Sequence, residues 1–179
     1  NYTYLLVQTV TQGACYCSTI PALTEGSYLL GQDCRTVRHE RRCFEVATLD
    51  AMFSAFEKHP DEVHHLSGRS GDQAVARAKI VIGEVERHLE LAGVERGRIV
   101  NVGVIGNIMK MLHEQGHDVV GTDEDPGLVG SEIVGMPVYG EERTVEFVEE
   151  CDVAVMTGMI ISTDTMEEIF AAAKRGGTK

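Results

Sequence analysis

The chain has 179 residues, 43% hydrophobic and 25% charged, which suits one globular domain or one domain with a small companion. Its 16 Lys and Arg stand against 28 Asp and Glu, a formal net charge of −12, so nucleic acid is not an expected partner. No run of about 18 apolar residues occurs, so no membrane-spanning helix is expected either.

The chain opens on Asn1 rather than Met, which points to a processed or incomplete N-terminus, and no charged-then-apolar leader marks a secretory signal. "YTYLLVQTV" (2–10) is β-prone, with Tyr2, Tyr4 and Leu6 alternating with less apolar neighbours. "GACYCSTIPALTEGSYLLGQDC" (13–34) is rich in Gly, Pro and Ser and reads as short strands joined by turns. "CRTVRHERRC" (34–43) gathers Arg35, Arg38, Arg41 and Arg42. A solvated charged face is the ordinary reading, and an anion-binding edge the sharper one. In "TLDAMFSAFEKHP" (48–60), Leu49, Met52, Phe53 and Phe56 have the spacing of one helix face, closed by Pro60. A second helix is marked by Ser70 and Gln73 as a capping box, then by Val75, Ala78, Ile82, Val85 and Leu89 as an apolar stripe, with Gly93 at its end.

From Arg98 onward, strand and helix patterns alternate. "RIVNVGVIG", "HDVVGTD" and "DVAVMTG" read as strands and "EIVGMPVYG" as a short extended piece. "NIMKMLHEQ", "EERTVEFVEEC" and "DTMEEIFAAAKR" read as helices. Such alternation implies a parallel sheet with helices on both faces, a Rossmann-like α/β fold. The expected organisation is an α+β N-terminal region over 1–70, a connecting helix and linker over 71–97, and the Rossmann-like domain over 98–179. The pattern stops where a further strand is due, so a C-terminal strand is expected beyond it.

Ligands of open α/β sheets bind beyond the carboxyl ends of the strands, which selects three places. At the first, Gly106 permits a tight turn and a close approach to the main chain, and Asn107 is positioned to cap the following helix. A Gly-x-Gly-x-x-Gly loop starting at Gly106 is broken by Ile108 and Met111. The second is Asp123, 17 residues beyond Gly106, near the spacing at which an acid meets a ribose. The third is Thr157–Gly158 with Ser162 and Thr163, hydroxyls that suit an anion or carboxylate. Asp164 and Glu167 there form a capping-box variant. Cys15, Cys17, Cys34 and Cys43, with His39, His64 and His65, supply soft ligands for a metal, although the spacing is not that of paired Cys-x-x-Cys knuckles. Five cysteines fit poorly with a closed disulfide framework, so a reducing cytoplasm is expected.

"NVGVIG", "VVGTDEDP" and especially "CDVAVMTGMIISTDTMEEIF" resemble the Rossmann-like domain family named for "putative heavy-metal chelation". That family has an aspartate-led strand, a Thr–Gly turn and a Thr-bearing helix start, matched here by Asp152, Thr157–Gly158 and Thr165. An asparagine often found at that helix start is Asp164 in this chain. The resemblance covers about 98–179 and implies an α+β subdomain ahead of it, which suits residues 1–70. A more distant likeness is to methyltransferases, with Gly103, Gly106 and Asp123 in the S-adenosylmethionine positions. The expected function is thus binding of a metal, metal chelate or small anion between the two halves. The alternative is an enzyme using S-adenosylmethionine or NAD(P) at the same place. Candidate cofactors are a divalent transition metal, S-adenosylmethionine or NAD(P), and a homodimer is compatible with the sequence.

Overall fold

The computed structural model describes residues 3–17, 19–22, 24–56 and 62–179. Tyr2 and Pro60, used in the sequence reading, lie outside the described residues. The chain divides into two units, Asn1–Val63 with Ile161–Asp164, and His64–Ile160 with Thr165–Lys179.

In the first unit, β1 (Thr3–Gln8) and β2 (Gln12–Cys17) form an antiparallel hairpin with Leu5 opposite Cys15. Beyond Cys17 the expected short strands are replaced, among the described residues, by 3-10 turns at Ser27–Leu29 and Cys34–Thr36. Helix α1 spans Arg42–Ser54, starting six residues before the expected helix. Its buried face is Cys43, Phe44, Ala47, Thr48 and Ala51, while Leu49, Phe53 and Phe56 are exposed. The reason is a close approach of backbones. A Cβ on Gly13 would lie 2.2 Å from the Ala47 carbonyl oxygen and 2.1 Å from the Ala51 nitrogen. Where α1 crosses Gly13 only the small Ala47 and Ala51 fit at that separation, while Phe44, about one turn earlier, packs with Cys15 and Cys17. The hairpin obeys the same logic: Tyr4 and Leu6 point out, and Cys15 and Cys17 point in.

The second unit begins with α2 (Ser70–Ala92), whose buried residues are Ala78, Ile82, Val85 and Leu89, with Val75 left exposed. Its N-cap is Arg69, whose N–H is accepted by the Asp72 carboxylate at 3.3 Å, so Asp72 takes the role expected of Gln73. Gly93 closes the helix at φ 71°, a left-handed conformation that costs glycine little.

There follow β3 (Arg98–Val102), α3 (Gly106–Glu114), β4 (Asp118–Asp123), β5 (Glu132–Ile133) and β6 (Met136–Gly140). The chain continues with α4 (Thr144–Glu150), β7 (Val153–Met156), the single turn α5 (Met159–Ser162) and α6 (Met166–Gly176). The sheet order is β5-β6-β4-β3-β7, parallel except for the β5–β6 hairpin. The extended piece at 132–140 is therefore a hairpin, and one arm of it enters the sheet. Residue alternation on β3 builds two cores. Ile99 packs with α2 and α3 through Leu89, Met109 and Leu112. Val100 and Val102 pack with α4 and α6 through Phe147, Val148 and Ile169. Each such side chain stabilises the fold by about 1.5–3 kcal/mol. Lys179 donates to the Asp152 carbonyl at 3.0 Å and accepts from the Ala154 N–H at 2.8 Å, lying along the edge of β7.

From β3 the chain moves outward through β4 and β6, then returns to the other side of β3 for β7. The carboxyl ends of β3 and β7 thus flank the topological switch point, where open α/β sheets take their ligands. No helix among the described residues is long and apolar enough to cross a membrane.

Candidate functional site at the switch point

Asn101 sets the geometry of the switch point. It lies in the middle of β3 with no exposed surface. Its Oδ1 accepts the Ile105 N–H at 2.7 Å, and its Nδ2 donates to the carbonyls of Gly103 at 3.1 Å and Val155 at 3.2 Å. One side chain therefore folds the turn after β3 and ties it to β7. Sequence reasoning missed it. The available signal was a polar residue inside an apolar strand just ahead of a glycine turn.

Gly103 has φ 73°, and a Cβ there would lie 2.4 Å from Thr157 Oγ1, so the turn rests directly on the Thr–Gly step after β7. The Thr157 main chain is held by its N–H to the Val102 carbonyl at 3.0 Å. Its hydroxyl oxygen is buried and has no hydrogen-bond partner among the described residues. Leaving such a group unsatisfied costs about 1–3 kcal/mol, which makes it the most conspicuous polar atom of the region.

Gly106 and Asn107 open α3, so their N–H groups point beyond the helix end. The expected cap by Asn107 does not form. The N-cap residue is Ile105, no side chain caps the helix, and Asn107 lies within its first turn and is exposed. Asp123 is engaged by main chain on both oxygens, Oδ2 with the Val104 N–H at 2.8 Å and Oδ1 with the Asp125 N–H at 2.9 Å. Local desolvation and the carboxylates of Glu141, Asp123 and Asp125 raise the Glu124 carboxyl above its ordinary range. The edge beyond β4 and β6 is accordingly strongly acidic.

The predicted residues thus fall into separate groups. Gly103, Asp123 and Thr157 are linked through the 103–105 turn, and Gly106, Asn107 and Gly158 adjoin it in sequence. Ser162 and Thr163 fall in the Ile161–Asp164 segment, which groups with the first unit. The Asp164–Glu167 capping box is absent: α6 has Thr165 as N-cap without a side-chain cap, and Asp164 takes φ 65° and pairs with Arg42 at 2.8 Å.

Cys15, Cys17 and Cys43 converge in the core of the first unit, while Cys34 sits in a 3-10 turn outside that core and is less buried. Burial, then the neighbouring Cys17 and Asp50, raises the Cys15 thiol, and burial with Cys17 and Cys15 pushes Cys43 up to about 12. His39 stacks on Phe44 and accepts the Arg41 N–H at its Nδ1, and His64 and His65 are exposed. Among the described residues, no three or more His, Cys, Asp or Glu side chains are arranged to hold a metal ion. The arginine run makes local pairs, Arg35 with Asp33 and Arg41 with Glu25, both at 2.5 Å.

A family model described as "Putative heavy-metal chelation" matches residues 88–178, which contain the switch point and all five strands of its sheet. The chain belongs to this family, DUF364. Two solved DUF364 proteins of unknown function share its fold. One, from Pyrococcus horikoshii, is 14% identical with a TM-score of 0.57 over 97% of this chain and 64% of its own. The other, from Desulfitobacterium hafniense DCB-2, is 14% identical with a TM-score of 0.55 over 94% of this chain and 66% of its own. The chain thus spans just under two thirds of the length of these DUF364 proteins. No curated protein matches it at a meaningful level.

Proposed function

We propose that this DUF364 chain is a small-ligand-binding protein whose ligand sits at the carboxyl ends of β3 and β7. The observation that carries this reading is the buried, unpartnered Thr157 hydroxyl beside the Gly103 turn. The cost of leaving it unpaired is recovered if a ligand atom bonds to it. The main chain at Gly106 and Asn107 offers N–H donors from an uncapped helix end to the same ligand.

The electrostatics favour a ligand with a positive region. Burial, and then the carboxylates of Glu141, Asp123 and Asp125, raise the Glu124 carboxyl, and a free anion would be repelled by this acidic edge. Among the described residues no three or more His, Cys, Asp or Glu side chains are arranged to hold a bare ion. A metal chelate, which brings most of its own donor atoms, meets both conditions. Its chelator would take the turn and Thr157, and its metal would face the acidic edge. A nucleotide cofactor has less support, because Asp123 would have to meet a ribose while both oxygens hold main-chain N–H groups.

The test is native mass spectrometry of gently purified protein, with elemental analysis of the same sample. A chelator-sized adduct carrying a metal supports the proposal. A metal-free nucleotide adduct would replace it with the cofactor reading.

A further inference from the structure

The first Asp, Glu, Lys or Arg of the chain is Glu25, so 24 residues pass without a charge in a protein of net charge −12. Both strands of the hairpin lie in that stretch. Two main-chain contacts fix which way their polar groups point. Thr9 donates its N–H to the Thr11 carbonyl at 2.8 Å, which continues the ladder beyond the Gln8–Gln12 pair. Ala14, opposite Leu6, donates its N–H to the Asp50 carboxylate at 2.8 Å. Hydrogen-bonded and non-hydrogen-bonded pairs alternate along an antiparallel ladder, so both contacts make Leu6 and Ala14 a non-hydrogen-bonded pair. Tyr4 and Gln8, two positions to either side, share the orientation of Leu6. The main-chain N–H and carbonyl groups of these three residues therefore point away from β2.

The two edges of the hairpin are thus unlike. The β2 edge is met by the Asp50 carboxylate from α1. The β1 edge meets no third strand among the described residues. Its sequence, TYLLVQ, contains no charge and no proline, the usual guards of an exposed edge. Its Tyr4 and Leu6 side chains are 62% and 72% exposed.

We propose that β1 is a self-association edge, pairing antiparallel with β1 of a second copy of this chain about a two-fold axis. This inference does not depend on the ligand proposed at the switch point. Charge favours a second copy as the occupant. Two molecules of net charge −12 repel each other, and the uncharged hairpin is where they approach at least cost. A two-fold axis pairs the strand with itself, and only outward-pointing residues can bond across it. Centring the axis on Leu6 uses all three: Leu6 faces Leu6 of the second copy, and Tyr4 faces Gln8 on either side. Each such pair exchanges both of its main-chain hydrogen bonds. A strand of six residues is about 20 Å long, so the contact covers on the order of 1,000 Å² in total, the low end for a specific interface. The expected dimer is weak, with micromolar dissociation.

The experiment is sedimentation equilibrium of the full chain over a concentration series, with hydrogen exchange at both ends of the series. Wild type is expected to pass from monomer to dimer, more readily in added NaCl, which screens the repulsion. Leu6→Lys places a charge on the edge without touching the core, and is expected to weaken association by about tenfold or more. Phe53→Lys, on the exposed face of α1, is expected to associate as wild type does. Hydrogen exchange of wild type removes dependence on variants that fail to fold. The amides of Tyr4, Leu6 and Gln8 are expected to exchange fast in dilute monomer and slowly in the dimer. A wild type that stays monomeric throughout would overturn the proposal, as would association lost in Phe53→Lys and kept in Leu6→Lys. Slow exchange at Leu6 in the dilute monomer would also overturn it, since another segment of the same chain would then cover the edge.

Discussion

Replacing Thr157 by valine removes the buried hydroxyl while keeping a β-branched shape. The hydroxyl oxygen has no partner, and an unsatisfied buried group of this kind costs about 1–3 kcal/mol. The added methyl contributes about 0.8 kcal/mol of burial, less whatever crowding a methyl meets where the hydroxyl stood. The main chain is unaffected, because Thr157 keeps its bond to the Val102 carbonyl at 3.0 Å. The net expectation for ligand-free protein is a gain of about 1 kcal/mol, a rise of about 2–4 °C in Tm for a chain of this size. Urea and thermal denaturation of dialysed wild type and Thr157→Val measure it. The same substitution is expected to abolish the adduct seen in wild type. A loss of about 1 kcal/mol or more in ligand-free protein would refute the reasoning, since it would mean the hydroxyl contributes a bond that stabilises the fold.

Gly106→Ala separates stability from binding in a second way. The nearest atom to the new methyl is Ile133 Cγ2 at 3.7 Å, so folding is expected to be unchanged or improved by up to about 1 kcal/mol, while the ligand's approach to the main chain is blocked. Denaturation and adduct retention read the two effects. Asn101→Asp sets an oxygen against the carbonyls of Gly103 and Val155 in place of a donor, and a loss of about 3 kcal/mol is expected in urea unfolding. High pH is a further test. Cys43 is raised to about 12 and Cys151 to about 11, both principally by burial. Each contributes stability that is complete below the unfolded thiol pKa, about 8.5, and is lost as pH rises towards the folded value. Stability should fall as pH rises through that window, and fall less steeply in Cys43→Ser. A slope unchanged in Cys43→Ser would show that this thiol does not contribute.

The second unit was legible because its sheet is buried on both faces and its turns are short. Strands β3, β4 and β7 read as apolar runs, and Gly93 marks the end of α2 by its left-handed φ of 71°. The first unit was harder because its helix follows an inverted rule. Against Gly13 the small residues Ala47 and Ala51 form the buried face, so the large residues at Leu49, Phe53 and Phe56 mislead a reading based on hydrophobicity. The carboxyl ends of β3, β4 and β7 were placed from the alternation of strands and helices, but the strand order that makes a switch point and the wiring within it were hidden. Asn101 contributes through three bonds to main chain, and Asp123 accepts the Val104 N–H 19 positions back, partners that no local spacing announces.

The most direct measurement of the central claim is a ¹⁵N NMR titration of the chain with the adduct recovered from it. The account predicts that the largest shifts fall on the amides of residues 103–107, Thr157 and Gly158, and that they vanish in Thr157→Val. Shifts centred on β1 and β2, or unchanged by that substitution, would contradict it.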